Sequence, residues 1–256
     1  MIKSLQKAMA LLSVISDGRG EPVRIMDISE KTGIPRPSCA HILETLAHDG
    51  YVVRLSHTDG YVLGPSLYHL TRSGRYDERL VALSRPILHS IEKRSGGTVI
   101  LSVIKGGHKF IIDYLDGEQN VFPERQRIIT DDIYRTATGR VILARMNGEG
   151  RRAIYDRYGA PDPSHWSGIF SFTELSERLD ALAREPVVIS GLDEEGRASH
   201  EFFGLASPIL KNGACIGALG IAYRSSIGEY ADKELIALAS SLVRRGAATI
   251  SQKCSD

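Results

Sequence analysis

The chain has 256 residues, of which 42% are hydrophobic and 25% charged, and its formal net charge is +1. These proportions are ordinary for a folded globular protein and exclude a disordered or low-complexity chain. No apolar run reaches the ~18 residues that a membrane-spanning helix needs, so we expect no membrane partner. Three cysteines without a C-x-x-C pair argue against a disulfide framework or a zinc site, and they favour a location in the reduced cytoplasm.

Charge is distributed slightly unevenly along the chain. The first 75 residues carry nine Lys or Arg and seven Asp or Glu, a net charge of +2, which leaves −1 for the remainder. This asymmetry has the sign expected of an N-terminal nucleic-acid-binding segment, but it is too small to decide the question by itself.

The first 64 residues have the pattern of three helices and a hairpin. Apolar residues repeat at helical spacing over 4–16, 25–31 and 36–48. Extended runs at 51–55 and 61–63 then flank an Asp-Gly dipeptide, which is a strong signal for a hairpin turn. The pattern predicts a three-helix unit that is completed by a β-hairpin wing.

The turn between the second and third predicted helices has the chemistry of a helix-turn-helix. Two helices that cross steeply need a turn residue that tolerates positive φ, and Gly33 can adopt that conformation. Ile28 and Ile34 are placed to hold the two helices together. The same pattern also occurs in purely structural three-helix elements and in protein-binding winged helices, so these alternatives stay open at this point.

The third predicted helix has one buried and one exposed face. Apolar residues at i, i+3, i+4 and i+7 form the buried stripe: Cys39, Ile42, Leu43 and Leu46. Recognition helices read bases with their N-terminal residues, and a wing contacts phosphates. The predicted DNA-binding residues are Arg36, Pro37, Ser38, His41, Thr45, Arg54 and His57. For His41 taken singly, a solvated surface position is an equally good interpretation.

After residue 64 the pattern changes to that of a larger mixed domain. We predict a linker helix over 65–77 and a second domain over 78–256. Its predicted elements are a helix at 78–93, strands at 98–104 and 110–115, helices at 138–147 and 173–184, strands at 186–190, 202–210 and 214–223, and a C-terminal helix. Consecutive hairpins with helices at both ends predict an antiparallel sheet flanked by helices. The fold class is therefore α+β with two domains.

Several motifs, in consistent order along nearly the whole chain, resemble those of one known family. In the N-terminal part they are Thr32-Gly33-Ile34-Pro35-Arg36, Leu43-Glu44-Thr45-Leu46, Gly50-Tyr51-Val52 and Tyr61-Val62-Leu63-Gly64. In the second domain they are Thr136-Ala137-Thr138-Gly139-Arg140 and Ala206-Ser207-Pro208-Ile209. Together they resemble the IclR family of bacterial transcriptional regulators, in which the last two motifs read Thr-Ala-x-Gly-Lys and Ala-Ala-Pro-Val.

This resemblance implies a homodimer or homotetramer that binds double-stranded operator DNA. Its GAF-like second domain would bind a small-molecule effector, and we expect a short organic acid or semialdehyde rather than an aromatic acid. It further implies a repressor of a catabolic operon that needs no cofactor. The stretch 37–41 departs from the family pattern, because His41 stands where the family has Arg and removes a bidentate donor, so the operator sequence cannot be transferred.

The candidate effector site centres on the motif at 136–139, which begins a predicted helix. Backbone N–H groups at a helix N-terminus suit a carboxylate, although ordinary capping by Thr136 or Thr138 would need no ligand. The predicted effector-binding residues are Ile133, Tyr134, Ala137, Thr138, Gly139, Asp193, Phe202, Gly204, Gly220 and Ala222. For the aromatic residues, plain core packing is the alternative. The resemblance places Gly220 and Ala222 where the family can carry serine hydroxyls, so polar recognition would shift to backbone N–H groups and to Asp193 or Glu194.

An enzyme is the competing class of function. The sequence contains no G-x-S-x-G, no H-E-x-x-H and no Walker-type phosphate loop. His108, His165 and His200 lie far apart along the chain, and no nucleophile is associated with them. We therefore expect no catalysis, no metal and no cofactor. A third possibility is a DNA-bound regulator whose second domain only dimerises.

Overall fold

The chain consists of two units, Met1–Tyr76 and Asp77–Asp256. The structure is a computed structural model. It describes residues 2–18, 20–56, 60–72, 78–118, 129–130 and 133–255. Within these residues, no helix is both long enough and apolar enough to cross a membrane.

The first unit is a winged helix-turn-helix, as the sequence predicts. In chain order it contains α1 (Lys3–Asp17), α2 (Ile25–Thr32), α3 (Arg36–His48), β1 (Val52–Ser56), β2 (Gly60–Leu63) and α4 (Pro65–Arg72). β1 and β2 pair antiparallel, and the backbones of Tyr61 and Val23 exchange two hydrogen bonds of 2.9 Å. Leu11 from α1, Ile28 from α2 and Leu43 from α3 meet in the core, where each is fully buried.

Local hydrogen bonds fix the turn between α2 and α3. Gly33 has a φ of 68°, the left-handed conformation, and its N–H donates to the Ser29 carbonyl at 2.9 Å. The Ser29 hydroxyl donates in turn to the Ile34 carbonyl at 2.7 Å, and the Cys39 thiol donates to the same carbonyl at 3.3 Å. The first turn of α3 is therefore tied to the last turn of α2.

The boundary between the units lies beyond α4. The Ser66 hydroxyl at the start of α4 donates to the Asp49 carbonyl at 2.8 Å, and the Gly64 N–H donates to the Tyr51 carbonyl at 2.8 Å. These bonds attach α4 to the end of α3, so α4 belongs to the first unit. The sequence ended the first domain at 64 and placed a linker over 65–77, whereas the structure divides the chain after Tyr76; residues 73–77 lie outside the described residues.

The second unit is built on an antiparallel sheet. Its helices are α5 (Glu78–Ser95), α6 (Ala137–Ala144), α7 (Gly148–Tyr158), α8 (Phe172–Ala183) and α9 (Lys233–Ser255). Its strands are β3 (Thr98–Lys105), β4 (His108–Leu115), β5 (Ile129–Thr130), β6 (Val188–Ser190), β7 (Phe202–Lys211) and β8 (Ala214–Arg224). In the described part of the chain these strands pair in the order β5-β4-β3-β8-β7-β6.

The two faces of this sheet are covered by different helices. α5 and α9 cover one face, where Leu219 and Ile221 of β8 are buried in the larger core. α6 lies on the other face against β7 and β8, and Ala218 of β8 is buried there with Val141 of α6. Because side chains alternate along a strand, β8 contributes to both cores.

Two elements were not predicted from the sequence, α7 and β5. α7 begins with Gly148 and Gly150 and lacks an apolar repeat, yet the Asn147 side chain caps it by accepting the Gly150 N–H at 2.8 Å. Arg151 then crosses from α7 to the C-terminal end of α6, where its guanidinium donates to the Leu143 and Ala144 carbonyls at 3.2 and 2.6 Å. α7 therefore depends on tertiary contacts that its own sequence pattern does not reveal.

Candidate functional site

The outer face of α3 presents the predicted recognition residues to solvent. Arg36, Pro37, His41 and Thr45 are exposed and Ser38 is half-buried, whereas Cys39 on the opposite side is completely buried. In the described chain no side chain caps the N-terminus of α3, which follows Pro35. Backbone N–H groups at such an end, together with the positive pole of the helix, suit a phosphate. The Thr45 hydroxyl already donates to the His41 carbonyl at 3.1 Å.

The wing places Arg54 on the exposed side of β1. Arg54 lies opposite Tyr61 in the strand register, and its guanidinium carbon is 5.9 Å from the centre of the Tyr61 ring. The predicted contact residue His57 lies outside the described residues. The exposed side of β1 and the outer face of α3 thus both present polar side chains of the first unit to solvent.

The second unit contains a cavity of about 210 Å³ between α6 and the sheet. Its walls come from β3, β4, β6, β7 and β8 and from the segment that enters α6. Six of the ten predicted effector-binding residues line it: Ala137, Thr138, Phe202, Gly204, Gly220 and Ala222. Gly204 and Ala222 are paired across β7 and β8. Strand pairing therefore brings together residues that are remote in sequence.

The small residues on β8 leave room for α6. A Cβ atom on Gly220 would stand 2.6 Å from the Thr138 methyl group. A Cβ atom on Gly204 would meet nothing closer than 3.4 Å. Glycine at 220 therefore permits the close approach of α6, whereas a Cβ atom at 204 would make only ordinary van der Waals contacts.

Ile133, Tyr134 and Gly139 do not line the cavity. Ile133 is completely buried in the core beneath α7 and α8. The Tyr134 hydroxyl donates to the Gly159 carbonyl at 3.1 Å, and burial raises the pKa of this phenol. Gly139 lies against the Ile133 carbonyl, and its N–H donates to the Thr136 hydroxyl at 3.2 Å. Thr136 is thus an ordinary helix cap, as the alternative interpretation of this motif required.

Asp193 also lies away from the cavity, in an exposed loop. Its carboxylate accepts hydrogen bonds from the Arg197 N–H at 2.8 Å and the Glu195 N–H at 3.0 Å, and it pairs with the Arg197 guanidinium at 2.9 Å. These interactions, the Arg197 backbone bond above all, lower the pKa of Asp193. Asp193 organises this loop.

The cavity contains polar residues that the sequence analysis did not select, and Lys109 is the most buried of them. Lys109 is only 2% exposed. Its ammonium donates to the Thr136 hydroxyl at 2.7 Å and lies 3.5 Å from the Thr138 hydroxyl. Arg135 and Ser190 line the cavity as well. Lys109 lies between the predicted strands at 98–104 and 110–115, where a lysine is normally solvated, so local pattern gave no signal for it.

His200 is a further polar cavity residue that the sequence analysis did not select. Its Nε2 atom is buried and has no hydrogen-bond partner among the residues that the structure describes. Burial, followed by the charges of His165, Arg135 and Arg140, lowers the pKa of His200. Its ring contacts that of His165 edge-on, with centroids 4.9 Å apart. The imidazole is therefore neutral near pH 7.

These residues give the cavity an apolar wall and a basic polar surface. Among the described lining residues, those that carry a titratable side chain are the bases Lys109, Arg135 and His200. Such a surface attracts an anion, and the apolar wall favours an organic one. Within the described chain, no group of three His, Cys, Asp or Glu side chains is arranged to hold a metal ion.

Comparisons with known proteins identify relatives by sequence and by fold. Residues 4–56 match the model of the IclR helix-turn-helix domain. The HTH-type transcriptional regulator TtgV of Pseudomonas putida is 28% identical over 170 residues, 65% of this chain and 62% of that protein. XynR, an HTH-type transcriptional regulator of Escherichia coli, is 24% identical over 160 residues, 62% of each chain. These relatives are named as regulators and not as enzymes, which agrees with the expectation from the sequence.

Solved structures match the fold over nearly the entire chain. The Thermotoga maritima IclR is 23% identical, with a TM-score of 0.65 and full coverage of both chains (100% each). An IclR homologue from Microbacterium hydrocarbonoxydans, complexed with 4-hydroxybenzoate, is 17% identical, with a TM-score of 0.64 and 98% coverage of each chain. By sequence, the chain spans 60 to 62% of the length of the curated relatives it matches. Residues 4–56 therefore match the IclR helix-turn-helix domain, 65% of the chain is similar in sequence to an HTH-type transcriptional regulator, and the fold is similar to that of solved IclR proteins.

Proposed function

We propose that the chain is a cytoplasmic DNA-binding transcriptional regulator whose affinity for operator DNA is modulated by a small organic acid, semialdehyde or related metabolite. The first unit would bind double-stranded DNA, and the second would bind the metabolite. In the cell it would act as a homodimer or homotetramer and repress a catabolic operon. The observation that carries this proposal is the exposed polar face of α3 within an IclR helix-turn-helix domain.

The DNA-binding part is supported by the geometry of the first unit. Arg36, Pro37 and Ser38 form the first turn of α3, the part of a recognition helix that reaches base edges in the major groove. Arg36 can contact a guanine with two hydrogen bonds, and His41, one turn later, is exposed on the same helix. Arg54 on the wing would contact a phosphate.

The ligand-binding part is supported by the cavity beside α6. A concave site with apolar walls and a few polar groups is the usual form of a small-molecule site. The Microbacterium homologue is complexed with a carboxylic acid, 4-hydroxybenzoate, and we propose that the cavity of this chain also binds a carboxylic acid. Binding would favour one arrangement of the paired DNA-binding units over another, and the spacing of two half-sites determines how well a dimer binds DNA.

The experiment that tests this function is a selection from a pool of random-sequence duplex DNA with the purified full-length chain. Enriched duplexes are then titrated by fluorescence anisotropy against an unselected duplex. We expect an enriched palindromic sequence that binds at least about 1,000-fold more tightly than the unselected duplex. Affinity should also fall at least tenfold between about 50 and about 200 mM salt, because phosphate contacts release counterions. Recovery of no enriched sequence, or binding that salt does not weaken, would contradict the proposal.

A further inference from the structure

The outer face of α3 carries one acidic side chain, Glu44, among the polar residues that it presents to solvent. Glu44 is exposed, whereas Cys39 and Leu43 on the inner side of the helix are completely buried. Among the residues that the structure describes, the Glu44 carboxylate has no hydrogen-bond or ion-pair partner. DNA is a polyanion, so an unpaired carboxylate on a DNA-binding face opposes binding unless a donor on the DNA meets it.

The neighbours of Glu44 along α3 do not neutralise its charge. Side chains three and four positions away on a helix are the ones that can pair with each other. Around Glu44 these positions hold no lysine or arginine; they are Ala40, His41, Ala47 and His48. The His48 ring lies beside another carboxylate, with 2.9 Å between its Nδ1 atom and Asp49. The Glu44 carboxylate is therefore available to a partner outside the chain.

Glu44 lies on the side of α3 that would face the base edges. With about 3.6 residues per turn, Pro37, His41 and Glu44 share the side that points away from the core. Together with Ala40 they fall at i, i+3, i+4 and i+7, and homeodomains read base edges from recognition-helix residues at the same spacing. In the major groove, the Glu44 carboxylate would therefore face bases rather than the phosphates at the edges of the groove.

The four bases differ in what they offer a carboxylate in the major groove. Guanine presents two acceptors and thymine presents one, so both repel a side chain that can only accept hydrogen bonds. Adenine presents an amino donor next to the acceptor N7. Cytosine presents its amino donor and no acceptor. Cytosine is therefore the base that matches an ionised glutamate best.

We propose that Glu44 is a specificity-determining residue that selects a cytosine in each half-site of the operator. Its carboxylate accepts a hydrogen bond from the cytosine amino group and repels the other base edges. Arg36 on the same helix attracts any DNA, whereas Glu44 weakens binding to DNA of the wrong sequence. This inference rests on the proposed function in taking α3 as the recognition helix.

The test begins with the wild-type full-length protein and the duplex selected from the random pool. Each base pair of the half-site is replaced in turn, in both half-sites together, by the three alternatives. Dissociation constants are measured by fluorescence anisotropy. We expect at least one position at which C·G binds at least about tenfold more tightly than every alternative, within the usual effect of one mismatched base pair. The absence of any such position would overturn the proposal.

Two variants assign this preference to Glu44, because a C·G pair can also be required through its guanine. Glu44→Ala should abolish the preference at one C·G position and keep the preferences elsewhere. Glu44→Gln retains the shape of the side chain but offers a donor and an acceptor, the combination that pairs with adenine, so the preference there should change from cytosine to adenine. Both variants should bind the unselected duplex at least about twofold more tightly than the wild type, because each removes a negative charge.

The matched control is Glu21→Gln. Glu21 is an exposed acidic residue of the first unit that lies between α1 and α2. This substitution removes the same charge and should leave every base preference unchanged. A cytosine preference that either Glu44 variant retains would overturn the proposal. Equal weakening at every position would also overturn it, because that pattern indicates a structural role. All three residues replaced are exposed, so melting temperatures should stay within about 1 °C of the wild type.

The failure of this inference is distinguishable from the failure of the proposed function. If the selection enriches no sequence, the protein recognises no operator and both proposals fail. If it enriches a sequence whose base preferences are the same in the wild type and the Glu44 variants, DNA recognition stands and the role of Glu44 is refuted.

Discussion

The recognition face of α3 and the cavity beside α6 use polar side chains in opposite ways. On α3 they are exposed, lie within one stretch of ten residues, and project from a core to which they contribute little. Around the cavity they are buried or half-buried and come from segments as far apart in sequence as Lys109 and His200, and some of them also hold the fold together. Substitutions on the face should therefore change binding alone, whereas substitutions around the cavity should change binding and stability together.

The largest expected effect is the loss of stability caused by Arg140→Met. Arg140 is buried in the first turn of α6, where it donates to the Tyr134 carbonyl at 2.6 Å and the His165 carbonyl at 2.7 Å and stacks on the Trp166 ring. Its removal leaves buried carbonyls unpaired, which we expect to lower the free energy of unfolding by about 3 kcal/mol. Urea titration measures this.

The matched control is Arg152→Met in α7. Arg152 is exposed and pairs with Asp156 one turn later, so its loss should lower the free energy of unfolding by less than about 0.5 kcal/mol. If both substitutions lowered the free energy of unfolding equally, the buried hydrogen bonds of Arg140 would not contribute more to stability than the exposed ion pair of Arg152.

Arg36→Ala tests the expectation that a substitution on the recognition face changes DNA binding but not stability. Arg36 is exposed at the start of α3, so we expect the melting temperature to stay within about 1 °C of the wild type, since exposed substitutions change stability little. Affinity for the selected duplex should fall by about tenfold to a hundredfold, the range for loss of one bidentate base contact. Anisotropy titration measures it, with Arg152→Ala as the control. If DNA affinity stays unchanged, α3 is not the recognition helix.

Gly204 and Gly220, the two glycines that line the cavity, separate binding space from packing within one site. Gly220→Ala brings a methyl group against Thr138 and should lower the free energy of unfolding by about 1–3 kcal/mol, the usual effect of overpacking. Gly204→Ala meets nothing closer than 3.4 Å and should change it by no more than about 0.5 kcal/mol. Thermal unfolding of the two variants side by side measures the difference. Equal destabilisation would show that α6 does not need glycine at 220.

The smallest expected effect is a pH dependence of stability from His200. Its pKa in the folded protein is lowered from the ordinary value of 6.5 by burial and by His165, Arg135 and Arg140. The unfolded chain therefore binds the proton more readily, and stability should fall as the pH drops below 6.5. His200→Asn should lose less stability than the wild type between about pH 7 and about pH 5, measured by urea titration. Identical pH profiles would contradict a neutral, buried His200.

The recognition face lies on one helix, whereas the cavity is assembled from distant segments, and this difference explains how far the sequence could predict each region. The bounds of α3 were predicted correctly at both ends, because Pro37 is favoured in a first turn and Gly50 suits the left-handed residue after a helix. All the exposed residues of its face follow from one helical repeat. Local pattern is sufficient when a site is a single element.

Local pattern was insufficient for the cavity. The family resemblance selected Gly220 and Thr138, and both line the cavity. Lys109 and His200 were missed because their burial depends on the pairing of β4 with β3 and on a loop that folds back over the sheet. No repeat within the sequence encodes those contacts.

The central claim is that ligand binding in the cavity changes DNA affinity. It is tested most directly by the ratio of the dissociation constants for DNA with and without ligand. The dissociation constant of the wild-type protein for its selected duplex is measured with and without a saturating concentration of the tightest-binding member of a series of small carboxylic acids. Coupling between two sites typically amounts to about 5- to 150-fold, so we predict a ratio of at least about five. A ratio of one, with the acid shown to be bound by calorimetry in the same buffer, would contradict it.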